Sequence, residues 1–144
     1  MPMIEFFVPG TPRPQGSKSI SRTGHLYESN KGLKAWRKTV EAHATLWRVK
    51  QRRWKPLDGP LWVAFDFRLP RPKRPKDSRP IGPPDLSKLV RAVEDGLKVG
   101  GIIKDDARIV RFDGAHVSEY YCTRKTWAPP AHAGCLVRLG VMEE

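Results

Sequence analysis

The sequence predicts an α+β fold: a single small domain with a mixed sheet and two main helices. Three observations carry the prediction. Leu86, Leu89, Val90, Val93 and Leu97 recur at helical spacing and form one apolar stripe. Leu61, Val63, Phe65, Phe67 and Leu69 alternate with other residues, which is the period of a strand. The remaining helix and strand patterns mix without a regular βαβ order, so a parallel α/β sheet is the poorer reading.

At 144 residues and 39% hydrophobic, the chain can bury a core of its own and is too apolar to stay disordered. No boundary or repeat divides residues 1–144. No run approaches the about 18 apolar residues that suggest a membrane span. The N-terminus, Met1 to Glu5, lacks a signal-peptide pattern. Cys122 and Cys135 do not make a disulfide framework, so a reducing cytosol is expected and no membrane partner.

The net charge of +12 is uneven. Residues 1–84 hold 18 Lys/Arg against 6 Asp/Glu, and residues 85–144 hold 9 of each. The whole excess precedes the apolar-striped helix. A basic first half points to a polyanion, most simply nucleic acid, against the plainer reading of a cationic soluble surface.

Taken in order, residues 3–8 read as a strand. Pro9 to Gly16 then breaks regular structure with prolines and glycines. Arg13 and Lys18 ride on this stretch, either as phosphate contacts or as solvated loop charge. Ser17–Ile20 and His25–Tyr27 suggest a hairpin around Thr23-Gly24. Asn30 is a candidate cap for a helix over residues 31–51, with Leu33, Trp36, Val40, His43, Ala44 and Trp47 on one face. His43 is expected to pack there rather than ligate. The basic end of that helix, Arg48 to Lys55, reads either as a phosphate patch or as cations favouring a helix C-terminus. Leu61 to Leu69 is the clearest strand. Asp66 and Arg68 face away from its apolar side, and Asp66 is a solvated surface acid or a further metal ligand.

Pro70 to Pro80 is proline-rich and basic, with Arg71, Lys73, Arg74 and Lys76. This loop, residues 70–84, leads into Asp85, at or beside the N-cap of the striped helix. Gly100-Gly101 ends that helix. Strands are expected over residues 107–113, 116–122 and 134–142, with a Pro/Ala loop over 127–133.

The chemistry centres on carboxylates. If the chain folds back after Gly101, Asp105 and Asp106 approach Asp85, and three acids so close repel unless a cation lies between them. Oxygen-only ligation suits Mg²⁺ or Mn²⁺, ions that do phosphate chemistry. Asp85, Asp105 and Asp106 are thus candidate metal ligands, although Asp is also ordinary at N-caps and turns. Arg91 either pairs with Asp95 or stabilises charge on a phosphate during cleavage. His116, Cys122, His132 and Cys135 match no zinc spacing. No GxxxxGK[ST] is present, so P-loop nucleotide hydrolysis is unsupported.

Asp-Leu-x-x-Leu at 85–89, the acid at 95, Lys-Asp-Asp-Ala-Arg-Ile-Val at 104–110 and Val-Pro-Gly-Thr-Pro-Arg-Pro-Gln-Gly at 8–16 followed by Tyr27 resemble the RusA family. These are Holliday-junction resolvases, common in bacteriophages and prophages. The resemblance implies a homodimeric, Mg²⁺-dependent endonuclease working on branched DNA in the cytoplasm of a bacterial host. It would resolve four-way junctions by paired symmetric nicks in recombination and repair, leaving 5′-phosphate and 3′-hydroxyl ends. Asp85 and Asp106 match family metal ligands, Arg91 falls where the family has a lysine, and Lys18, Arg71, Lys73 and Arg74 would grip DNA. The second aspartate of the family's helix falls at Ser87. A hydroxyl there implies weaker metal binding, so the alternative is a junction-binding relative with weakened catalysis.

Overall fold

The computed structural model describes residues 3–16, 18–20, 22–24, 26–28, 31–114 and 122–142. Its elements follow the order β1 (Ile4–Pro9), β2 (Lys18–Ile20), β3 (Leu26–Glu28), α1 (Leu33–Val49), β4 (Leu61–Pro70), α2 (Leu86–Val99), β5 (Ile109–Arg111), β6 (Arg124–Ala128) and β7 (Gly134–Val141). β7 is antiparallel to both β1 and β4, whereas β5 and β6 run parallel to β4 along its other edge. The sheet is therefore mixed, and β2 and β3 form a separate hairpin.

The inward alternation of β4 buries Leu61, Val63, Phe65 and Phe67 completely, with Val137 and Leu139 of β7 alongside. Leu33, Trp36, Val40 and Ala44 of α1 and Leu89, Val93 and Leu97 of α2 belong to the same core. Each large apolar side chain so buried contributes about 1.5–3 kcal/mol relative to an exposed one. The two helices cross closely at glycines. A Cβ on Gly96 would lie 2.4 Å from Val40 Cγ1, and one on Gly100 would lie 2.6 Å from the Ala44 Cβ. That close approach fixes which face of α2 looks out.

Several local expectations are corrected. α1 starts at Leu33 rather than Lys31, because Gly32 takes a left-handed φ of 88° at the N-cap. Asn30, the expected cap, lies outside the described residues, as do Ser17 and His25. Residues 106–108 form a 3-10 turn, which leaves only Ile109–Arg111 as strand. Trp127 and Ala128 belong to β6 instead of a loop. Of the strand expected over 116–122, only Cys122 is described, bridging to Asp113. Arg48 Nε donates to the Gly100 carbonyl at 3.0 Å, tying the end of α1 to the end of α2. His43 is half-buried, and its Nδ1 lies 2.9 Å from the Thr39 carbonyl oxygen.

Asp66 is neither a solvated acid nor grouped with the other candidate ligands. It is 9% exposed on the outer face of β4. Arg68 Nε and Arg124 Nε each lie 3.4 Å from one of its oxygens.

Candidate active site

The Pro/Gly stretch 9–16 is pinned across the polar face of α2. Gly10 N–H donates to the Ala133 carbonyl at 3.1 Å, and Gln15 N–H donates to the Lys88 carbonyl at 3.0 Å. Gln15 Nε2 donates to Asp95 Oδ2 at 2.5 Å, while Gln15 Oε1 accepts from Arg37 Nη1 at 3.1 Å. One glutamine thus joins the N-terminal loop, α1 and α2. Asp95 spends its carboxylate on Gln15, where an ion pair with Arg91 was one expectation. The Arg91 guanidinium lies against the loop: a Cβ on Gly16 would sit 3.1 Å from Arg91 Nη1.

Asp85 is the N-cap of α2. Its carboxylate makes no capping bond to the helix and instead faces Lys88 Nζ at 3.8 Å, with 61% of the side chain exposed. The chain entering it is held by Lys125, whose Nζ donates to the carbonyls of Gly82 at 2.8 Å and Pro84 at 3.0 Å.

Asp105 and Asp106 follow the turn after α2. Asp105 caps the 3-10 turn by accepting from Ala107 N–H at 3.5 Å, and Lys98 Nζ lies 3.5 Å from its Oδ1. The two carboxyls hydrogen-bond each other. That bond holds Asp105 below the usual carboxylate range and pushes Asp106 above it, with burial and the Asp105 charge adding to the rise. Asp95 raises Asp106 further. Glu94, raised to about 7 chiefly by burial, feels Asp106 and Asp95 as well, with Arg91 partly offsetting them. Four acids, Glu94, Asp95, Asp105 and Asp106, thus load one side of the second half of α2 with negative charge.

Of the three expected ligands, the structure brings Asp105 and Asp106 together. Asp85 sits at the head of the helix, about 15 Å along its axis from Asp95 at 1.5 Å per residue. Among the described residues, no group of three or more His, Cys, Asp and Glu is placed to hold an ion. In kind, the donors suit a hard divalent cation, being oxygen-only and electrostatically crowded.

Ser87 is exposed and lines a cavity of about 660 Å³ with Arg91, Glu94, Val90 and Phe112. Glu94 therefore connects this cavity to the acidic group. Neither Glu94 nor Gln15 carries a local sequence signal of this placement. Gln15 meets Asp95 across 80 residues of chain, a contact with no local signature. Of the expected DNA contacts, Lys18 begins β2, Arg13 is half-buried beside Gly32, and Arg71, Lys73, Arg74 and Lys76 are exposed on the proline-rich arm.

Compared with known families, residues 9–124 match the one described as Endodeoxyribonuclease RusA. The chain belongs to the RusA endodeoxyribonuclease family. The match spans the pinned loop, the basic arm, all of α2 and the Asp105-Asp106 turn. No curated protein matches the chain. Membership in the RusA family implies Holliday-junction resolvase activity and binding to branched DNA. Among the described residues, no helix is long and apolar enough to cross a membrane.

Proposed function

We propose that this RusA-family chain is a Mg²⁺-dependent endonuclease that, as a homodimer, nicks four-way DNA junctions in pairs on opposite strands, in the cytoplasm of a bacterial or phage-infected cell. The observation that carries the reading is the adjacent Asp105–Asp106 pair at the turn after α2, set against Glu94 and Asp95 and only partly offset by Lys98 at 3.5 Å from Asp105, in a chain of net charge +12. Acids are left crowded in this way where chemistry needs them.

Asp105 and Asp106 would hold the ion, with Mn²⁺ able to replace Mg²⁺, and Asp85 would complete the set only by approaching them from the head of α2. Bound there, the ion supplies an activated water and charge neutralisation at the phosphate. The chain's own residues do the rest. Lys125 fixes the loop that presents Asp85. Arg91, exposed on α2 and backed by Gly16, offers a guanidinium to the phosphate oxygens as charge builds on them. Gln15 holds Asp95 in place. Arg13, Lys18, Arg71, Lys73, Arg74 and Lys76 bind the phosphodiester backbone.

Ser87 favours a second reading, a junction binder with weakened catalysis, because a hydroxyl stands where the family's helix carries its second aspartate. One assay separates the two: a synthetic four-way junction and a linear duplex, each with and without Mg²⁺. Paired, metal-dependent nicks confined to the junction support the first reading. Selective binding without nicks supports the second, and Ser87→Asp then restores cleavage. Equal affinity for both DNAs without nicks overturns both.

A further inference from the structure

We infer that the protein carries a second DNA contact, apart from the carboxylates: a groove for an unpaired strand, with Trp127 as its stacking platform. The inference takes from the nuclease reading only that DNA is the ligand.

Trp127 is half-buried in β6, the outermost strand along that stretch of β4. It borders two clefts at once. One, of about 340 Å³, runs between the N-terminal proline loop and Pro83-Pro84, just ahead of Asp85, and includes Arg13. The other, of about 410 Å³, runs between the start of the basic arm, with Arg71 and Lys73, and the turn after β6. Both border Trp127, whose indole packs against the core on its inner side, so the two clefts flank one side chain, one toward the head of α2 and the other toward the basic arm. The indole is held in register, since its Nε1 donates to the Asp77 carbonyl at 3.1 Å and Arg71 N–H donates to the Ala128 carbonyl at 2.8 Å.

The chemistry of the lining selects the occupant. Neither cleft is lined by an acid, whereas the cavity beside Ser87 includes Glu94 and Asp113. Arg13, Arg71 and Lys73 supply positive charge along the path. Prolines and the indole supply flat apolar surface between those charges. A cationic trough with an aromatic platform suits a single strand: phosphates track the cations and an exposed base lies on the ring. In a duplex the bases already stack on each other and offer no free face. At a branch point, strands are available to be splayed, and the cleft lined by Pro83 and Pro84 offers such a strand a cationic, aromatic bed.

The test is binding of the full chain, without metal, to a short oligothymidylate and to a blunt linear duplex, for wild type, Trp127→Ala and Trp127→Phe. Thermal melting checks that each variant folds. Expected is a loss of oligothymidylate affinity of about 5- to 150-fold in Trp127→Ala, the range of one base–aromatic stack. Duplex affinity stays unchanged, and Trp127→Phe, which keeps a ring but loses the Nε1 bond, retains most of the binding. Equal oligothymidylate affinity for wild type and Trp127→Ala overturns the proposal. So does an equal loss in both variants, which traces the effect to the Asp77 bond, and so does capture of a proline-rich peptide in place of the oligonucleotide. Junction nicking is read separately. Nicking with no Trp127 effect sinks the groove and spares the nuclease; a Trp127 effect with no nicking does the reverse.

Discussion

Asp66 and Asp106 are the same residue in opposite company. Asp66 lies on the outer sheet face between two arginines, Arg68 and Arg124. Asp106 lies beyond the end of α2 among Asp105, Asp95 and Glu94, with Lys98 partly offsetting their charge. An acid between two guanidiniums is already satisfied and serves the fold. An acid facing acids raises the energy of the folded chain and is retained where a cation or a reaction makes use of it.

Neutralising each acid in turn gives opposite expected effects. Asp106→Asn is expected to lower junction nicking by about 100-fold or more, because several kcal/mol of charge stabilisation at the phosphate is lost. Its melting temperature should hold or rise, since a like-charge repulsion goes with it. A melting temperature that fell with nicking intact would reverse the assignment.

Asp66→Asn should do the opposite. It leaves two arginines without their shared carboxylate, at a cost of about 1–3 kcal/mol, the arginines being partly solvated. Denaturant unfolding measures that loss, and nicking per folded molecule should be unaltered. If Asp66→Asn abolished nicking without loss of stability, Asp66 would belong with the functional acids after all.

Glu94 makes the acidic side of the molecule sensitive to pH. Its folded pKa, raised to about 7, means that the native state holds this proton more tightly than the unfolded chain, whose ordinary value is 4.5. The associated stability is fully present below the unfolded value and is lost as pH rises through about 7. Glu94→Gln should therefore remove part of the decline between those limits. The gain at pH 8 is about 1 kcal/mol once solvent screening of a partly exposed side chain is allowed for. Added Mg²⁺ should flatten the same decline in the wild type, since an ion bound only by the folded state stabilises it by mass action. A melting temperature equally pH-dependent with and without Mg²⁺ would argue against an ion at these acids.

What could be read from residues alone followed a physical rule: periodic burial is written locally and convergence is not. β4 and α2 were legible because each exposes one apolar face to one core, and Asp85 was legible as an N-cap because prolines precede it. β6 is not legible because Arg124, Lys125 and Thr126 carry no apolar alternation; the strand exists because β4 presents an edge that it pairs with. The strand after Asp106 was overdrawn because Asp105 caps its own backbone, a local bond that competes with the sheet ladder. The start of α1 slipped by a turn residue because Gly32 can take a left-handed φ that a sequence pattern does not display. The acidic pair at 105–106 stood out as a doublet, but its neighbours Glu94 and Asp95 come from a helix whose facing is set by Gly96 against Val40.

Asp85 gives the smallest stability effect and the finest discrimination. Its pairing with Lys88, at 3.8 Å and largely in solvent, contributes about 0–1 kcal/mol at most. Lys88→Met and Asp85→Asn should therefore both leave the unfolding curve within about 0.5 kcal/mol of wild type. Nicking then becomes the informative readout. If Asp85 acts with Asp105 and Asp106, Asp85→Asn loses cleavage while Lys88→Met keeps it, even though Asp85 stands at the far end of the helix from Lys98. If neither change alters cleavage, Asp85 is a surface acid like any other, and the reactive group contracts to the acids around Asp106.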